Sequence, residues 1–163
     1  MGNIQSFKPI IDRNSRILIL GSVPSVESLN KKQYYANKRN QFWKIIFSLY
    51  NLTPLKSYDK RIEFLMEKNI ALWDVIGVCS REGSLDSNIK NEIPNDFKTL
   101  FKKYPNIKYV FFNGNKSYET FKRKVGFKQY IYITFCKLPS TSPAHTVPFE
   151  SKLSRWKNIL IKV

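Results

Sequence analysis

The chain predicts an α/β fold, a three-layer α/β/α sandwich around a central parallel sheet of about four strands. Three observations carry this. Short β-branched apolar runs alternate with longer segments of helical length. Strands separated by helices pair in parallel through right-handed crossovers. The apolar runs lack the in-out alternation of a half-exposed sheet, as strands covered on both faces do. The 163 residues, 42% hydrophobic and 15% aromatic, suit one domain over 1–163 with its own core.

The elements follow in order. Arg16–Leu20 (RILIL), ending at Gly21, reads as the first strand. Gln41–Tyr50 (QFWKIIFSLY) reads as a buried helix. Tyr58–Lys68 carries Ile62, Leu65 and Met66 on one face, a second helix. Ile70–Ile76 (IALWDVI) is the second strand, and Asp96–Lys103 a short helix that Asp96 starts. Lys108–Phe112 (KYVFF) is the third strand, turned by Asn113-Gly114-Asn115 into a helix that runs through Val125. Tyr130–Phe135 (YIYITF) is the fourth strand. Glu150–Ile161 closes the chain as a helix, with Leu153, Trp156 and Leu160 on one face.

Composition narrows the function. There are 28 Lys and Arg against 12 Asp and Glu, a formal net charge of +16. Self-repulsion of that size costs stability and points to a polyanionic partner, nucleic acid first. The competing explanation is a lysine-rich composition, since 21 of the 28 are lysine. No helix sets its basic residues opposite a broad apolar face, which argues against a membrane surface. Cys79 and Cys136 lie in strand-like apolar surroundings and read as buried thiols of a reducing compartment rather than as a disulfide. Two cysteines and one histidine cannot supply a four-ligand zinc site or hold an iron–sulfur cluster. No basic segment leads into an apolar leader and no apolar run is long enough to span a bilayer, so a soluble intracellular protein is expected.

In an open α/β sheet the site lies beyond the carboxyl ends of the strands. That rule selects four loops. The first, GSVPS at 21–25, has a glycine for close approach and a proline for stiffness, but matches neither a Walker loop nor GxGxxG. A plain strand-end turn explains it equally. The second follows Asp74, a carboxylate inside an apolar run. Such a group needs a partner. It is either a base-edge reader or a structural cap. The third is FNGNKS at 112–117. The fourth is LPSTSPAH at 138–145, where two prolines, three hydroxyls and the only histidine sit together. Stiffness, small size and hydroxyl donors suit a loop that grips a phosphate backbone. Between the first two loops lies YYANKRNQFW at 34–43, aromatic residues around Lys38 and Arg39. Aromatic faces stack on bases and cations hold phosphates. The other reading is a helix start whose Phe42 and Trp43 enter the core.

Taken together, LGSVPSVESL at 20–29, QYYANKRNQFW at 33–43, ALWDVIGVCSREGSLDSNI at 71–89, FFNGNKS at 111–117 and LPSTSPAH at 138–145 resemble the uracil-DNA glycosylase superfamily. The hypoxanthine-DNA (deoxyinosine) branch is the most similar. The resemblance spans most of the chain, with the pieces in family order. It implies an enzyme that flips a deaminated base, hypoxanthine or uracil, out of DNA and hydrolyses its N-glycosidic bond, with no cofactor and no metal. It implies a monomeric repair enzyme of the cytoplasm, associated with the nucleoid.

The resemblance also distributes roles. Asn40 matches the catalytic amide of the branch. Ser22 stands where many uracil-directed relatives carry Asp or Asn, and His145 stands where Asn is usual in this branch. These three form the catalytic set. Gly21, Tyr35, Phe42, Asp74 and Ser87 are assigned to the base, with Phe42 as the stacking ring. Pro24, Ser25, Lys38, Arg39, Asn115, Lys116, Ser140, Thr141 and Ser142 are assigned to DNA, with the 138–145 loop as the wedge. No lysine stands out as a Schiff-base nucleophile, which implies a monofunctional enzyme without strand cleavage. Two other classes remain. A non-catalytic binder of damaged or single-stranded DNA would bind with strong salt dependence and release no base. A nuclease or nucleotide hydrolase would need clustered carboxylates for Mg²⁺, and the acidic residues are scattered.

Overall fold

The computed structural model describes residues 3–160. Four parallel strands form the central sheet: β2 (Ile17–Gly21), β3 (Ile70–Asp74), β6 (Tyr109–Asn113) and β7 (Thr134–Leu138), in the order β3-β2-β6-β7. Three of these runs explain the sandwich. Ile17, Ile19, Leu72 and Phe111 face one side, with α2 (Phe42–Leu49), α3 (Tyr58–Glu67) and α6 (Phe149–Trp156). Leu18, Leu20, Ala71 and Phe112 face the other, with α4 (Phe97–Lys103) and α5 (Asn115–Lys124). Successive strand side chains point to opposite faces, so a continuous apolar run supplies two cores at once.

Local signals set the helix starts. Ser57 and Asp96 accept from the backbone N–H groups of Lys60 and Thr99 and so cap α3 and α4. Gly114, at φ 97, makes the turn from β6 into α5. An added Cβ there would come within 2.9 Å of the Ser140 Cβ, so glycine also lets two strand-end loops touch. Helix α6 ends at Trp156 and continues as a 3₁₀ turn to Ile159; Ile161, the expected end of that helix, lies outside the described residues.

Three expectations are corrected. The second strand stops at Asp74 rather than Ile76. The same apolar run then enters a second sheet, three antiparallel strands in the order β1 (Asn3–Gln5), β4 (Ile76–Ser80), β5 (Lys90–Pro94). The crossing is held by Val75 N–H donating to Gly21 O at 2.8 Å and Ile76 N–H to Ser22 O at 3.1 Å. The fourth strand is Thr134–Leu138, not Tyr130–Phe135. Pairing with β6 begins opposite Tyr109, and Ile131 and Tyr132, 76% and 79% exposed, form the turn before it. β-propensity gave way to where a partner strand was available. Helix α1 (Val26–Lys31) was not foreseen; Ser25 caps it. Both thiols are free, Cys79 buried and Cys136 half-buried. Among the described residues no helix is long and apolar enough to cross a membrane.

Candidate active site

The parallel register places Gly21, Asp74, Asn113 and Leu138 at the carboxyl edge of the sheet. A cleft of about 460 Å³ opens there, lined by every strand-end loop of the parallel sheet and by the 34–40 turn. Its floor is Gly21, Asp74 and Tyr35. A Cβ on Gly21 would sit 2.7 Å from Asp74 Oδ1 and 3.0 Å from the Tyr35 hydroxyl. Only glycine leaves room for those two polar atoms, which is the physical meaning of the G in GSVPS.

Asp74 is 4% exposed, and among the described residues its Oδ2 meets no hydrogen-bond partner. Burial pushes its carboxyl up to about 7; the negative charge of Asp86 adds to the rise and Arg81 opposes it. At neutral pH this group is divided between acid and carboxylate. Tyr35 occupies a left-handed backbone position, φ 55, and its ring lies on Phe42, centroids 4.0 Å apart and 17° from parallel. Burial and then the Asp74 charge keep its hydroxyl protonated well above the ordinary range, partly opposed by the nearby Asn113 amide.

Phe42 therefore does not stack on a base. It is fully buried, wedged between Tyr35, Trp43 and Trp156. Tyr35 meets the cleft, as do Phe7 and Tyr34, and Phe42 supports Tyr35 from below. The helical phase decides this: Phe42 is the first residue of α2, on the stripe with Ile45, Ile46 and Leu49.

Asn40 lines the cleft beside Tyr35, and its Oδ1 accepts from the Phe42 N–H at 2.9 Å. That bond fixes the amide, whose nitrogen can donate to a ligand. Ser22 lines the same cleft and donates its hydroxyl to Asp86 Oδ1 at 2.8 Å. The sequence reading passed over Asp86, although it lies within the quoted REGSLD stretch. Its signal was hidden because the second strand was expected to end at Ile76, and β4, which leads into Asp86, was not foreseen. Ser84, Leu85 and Ser87 complete that lip, with Leu85 55% exposed.

The opposite wall is cross-braced. Asn113 Nδ2 donates to Thr141 Oγ1 at 3.0 Å, and Thr141 N–H returns a bond to Asn113 Oδ1 at 2.9 Å. Gln41 N–H donates to Thr141 O at 3.0 Å, tying the Asn40 turn to this wall. From behind, Trp156 Nε1 donates to Pro139 O at 2.9 Å and Lys152 Nζ to Ser142 O at 3.3 Å. Lys152 is 1% exposed, and burial lowers its pKa. Thr141 is wholly buried, so it positions this loop and does not present its hydroxyl to DNA. Ser140, Ser142 and His145 do line the cleft, His145 on the exposed rim.

The remaining assignments divide. Pro24, Asn115 and Lys116 line the cleft, although Lys116 also pairs with Glu92 at 3.5 Å and Asn115 Oδ1 accepts from Lys137 at 3.2 Å. Ser25 lines it too, but its hydroxyl is taken up in capping α1. Lys38 and Arg39 are exposed beside the cleft and do not line it. Arg81, unnoticed in sequence, is 5% exposed and donates to Pro24 O at 2.7 Å and Gly83 O at 2.6 Å. It locks the Ser22 loop to the Asp86 loop. Among the described residues no three His, Cys, Asp or Glu side chains are grouped to hold a metal ion.

Comparison with known proteins fits this geometry. The sequence model of the Uracil DNA glycosylase superfamily matches residues 9–162. The chain belongs to that superfamily. A protein of Methanosarcina acetivorans named Hypoxanthine DNA glycosylase is 38% identical over 159 residues, 95% of this chain and 96% of the relative. One of the same name from Methanosarcina barkeri is 40% identical over 156 residues, 93% and 94% of the two chains. The solution NMR structure of a candidate uracil DNA glycosylase from M. acetivorans superposes with a TM-score of 0.84 at 35% identity, covering 97% of this chain and 96% of that one. The protein is thus a DNA glycosylase acting on DNA, a polyanion that its net charge of +16 suits. The α/β sandwich and the superfamily read from sequence both stand.

Proposed function

We propose that this protein is a monofunctional hypoxanthine-DNA glycosylase. It turns a deaminated purine nucleotide out of the duplex into the cleft and hydrolyses the bond between C1′ and the base. A base in the stack is out of reach, so extrusion must precede chemistry. The observation that carries the choice of base is the cleft floor: a buried Asp74 with one unpartnered oxygen, beside the Tyr35 hydroxyl, over a glycine. Hypoxanthine presents a lactam edge, an N–H donor next to a carbonyl acceptor. A carboxyl that titrates near 7 offers an acceptor and, when protonated, a donor to match it. Two relatives that carry this substrate in their name are 38% and 40% identical over nearly the full chain, which supports the same choice.

The roles follow from the donor inventory. Tyr35 forms the platform under the base. Asn40, with its carbonyl committed to the backbone, donates from its amide nitrogen to the charge that builds on the leaving base. Ser140, Ser142 and the first turn of α5 at Asn115 and Lys116 take the phosphates that flank the flipped nucleotide. Leu85 is the exposed apolar side chain on the rim suited to fill the vacated stack, a task the small residues of the 138–145 loop cannot perform. The chain works as one domain and a monomer, in the cytoplasm beside the nucleoid. Lys116 on the cleft wall is paired with Glu92, which disfavours a Schiff base.

The test is base release from labelled duplexes carrying a single hypoxanthine, uracil or xanthine, in EDTA, with alkali to cut the abasic product. Release of hypoxanthine in preference to the other two is expected, with no borohydride-trapped adduct. Release of uracil alone would move the protein to another branch. Binding without release on every duplex would make it a reader of damage.

A further inference from the structure

We propose that Asp86, together with the Ser22 hydroxyl, holds and deprotonates the water that attacks the sugar. The hydrogen-bond pattern of the two residues carries this. Ser22 spends its one proton on Asp86 Oδ1, at 2.8 Å. Toward a ligand its oxygen can then only accept. The second oxygen of the Asp86 carboxylate is also only an acceptor. A water that gives one proton to each has its oxygen lone pairs turned toward the cleft.

The other groups in the cleft leave this task unfilled. Asn40 is an amide and has no basic atom to take a proton. Asp74 and Asp86 are the two carboxylates on the cleft walls. Asp74 is buried in the floor, with an unpartnered Oδ2 that marks the place of the base. Its raised pKa already carries a contribution from Asp86, so the two act within one electrostatic site. His145 could take a proton too, but among the described residues its ring makes no hydrogen bond that would fix it. Asp86 is fixed by Ser22, and Ser22 by the loop that Arg81 clamps through Pro24 O. A base must be held within hydrogen-bond reach of the proton it removes.

The step balances. The bond from C1′ to the base breaks, and its electron pair leaves with the base, which takes a proton from solvent. The water oxygen bonds to C1′, and its proton passes to Asp86, which returns it to solvent. The negative charge of Asp86 also favours the positive charge that develops on the sugar.

This inference rests on hydrolysis at the cleft but not on which base is released, so the variants are tested on whichever base the parent enzyme releases. In single-turnover assays, Asp86→Asn and Asp86→Gly are expected to lower the rate about 10²–10³-fold with duplex affinity retained. Asp86→Asn still accepts from Ser22, so a loss there reports the carboxylate and not the loop. Added formate is expected to restore part of the rate to Asp86→Gly and none to Asn40→Ala, a recovery that a merely structural role would not show. Three results would each overturn the assignment: Asp86→Asn as fast as the parent, a rate loss matched by an equal loss of DNA binding, or a loss in Asp86→Gly that formate leaves untouched. A parent enzyme that releases no base would sink the hydrolytic reading itself.

Discussion

The two walls of the cleft are built in opposite ways. The 139–145 wall is pinned from three sides, by Asn113 from β6, by Gln41 from the α2 turn, and by Trp156 and Lys152 from α6. Thr141 at its centre is wholly buried. The 82–88 lip is exposed along its length, and its anchors are Arg81 at the base, the Val26 N–H bond to Ser84 Oγ at 2.9 Å, and the Ser22–Asp86 bond at the tip. The pinned wall keeps fixed dimensions against a phosphate backbone. The open lip places a charged oxygen and an apolar side chain where a flipped nucleotide and the vacated stack would be. The difference teaches that the polar residues that look most active in sequence, the hydroxyls of LPSTSPAH, include structural ones, while a loop singled out in sequence only for Ser87 carries a carboxylate at the site.

Four measurements can break or sharpen that contrast. The largest effect belongs to the turn tied to the pinned wall. Asn40→Ala should lower single-turnover base release about 10²–10³-fold, because a preorganised donor to the leaving base is gone. Loss of the acceptor for Phe42 N–H should cost only about 1 kcal/mol by thermal melt. A rate within a few-fold of the parent would move the chemistry wholly to the open lip.

The floor between the walls comes next. Asp74 has its pKa raised from 3.8 to about 7 in the folded state. The folded protein therefore holds that proton more tightly than the unfolded chain. The Asp74 contribution to stability should be fully present below pH 3.8, be lost as pH rises to about 7, and then level off. Asp74→Asn should remove that slope and raise stability at pH 8 by about 2–4 kcal/mol while weakening release of the base. Urea melts across the pH range read this directly, and an unchanged slope would place the titration elsewhere.

On the pinned wall, Thr141→Val strands the Nδ2 of a buried Asn113, while Asn113 Oδ1 keeps its bond from the backbone N–H of residue 141. A loss of about 1–3 kcal/mol in stability is expected, with activity falling in parallel as the wall loosens. Leu85→Ala, on the open lip, should leave stability within about 0.5 kcal/mol of the parent, because the side chain is exposed. Its effect should appear only in the ratio of duplex to single-strand activity, a fall of a few-fold, since a single strand has no stack to fill. If Thr141→Val were silent and Leu85→Ala destabilising, the contrast between the walls would be reversed.

Much of this protein was legible before any coordinates. The runs RILIL and KYVFF could only be buried strands, the spacing of Ile62 and Leu65 made a helix, and Asp96 announced α4, because periodicity and capping are local properties of the chain. The strand-end rule pointed to Gly21 and Asp74, because an open parallel sheet exposes backbone and polar groups there, and the family resemblance pointed to Asn40; all three line the cleft. Tertiary structure alone decided the rest. It ended β3 at Asp74 and sent the same apolar run into a second sheet, for apolarity does not record which partner strand is present. It buried Phe42 and put Tyr35 on the cleft, because one helical phase offers one ring to the core. It brought Ser22 to Asp86 across 64 residues, and it made Thr141 a brace. The sequence determined which segments bury apolar surface and which groups could do chemistry; only the packed chain, by choosing among competing long-range contacts, decided which of those groups share a site.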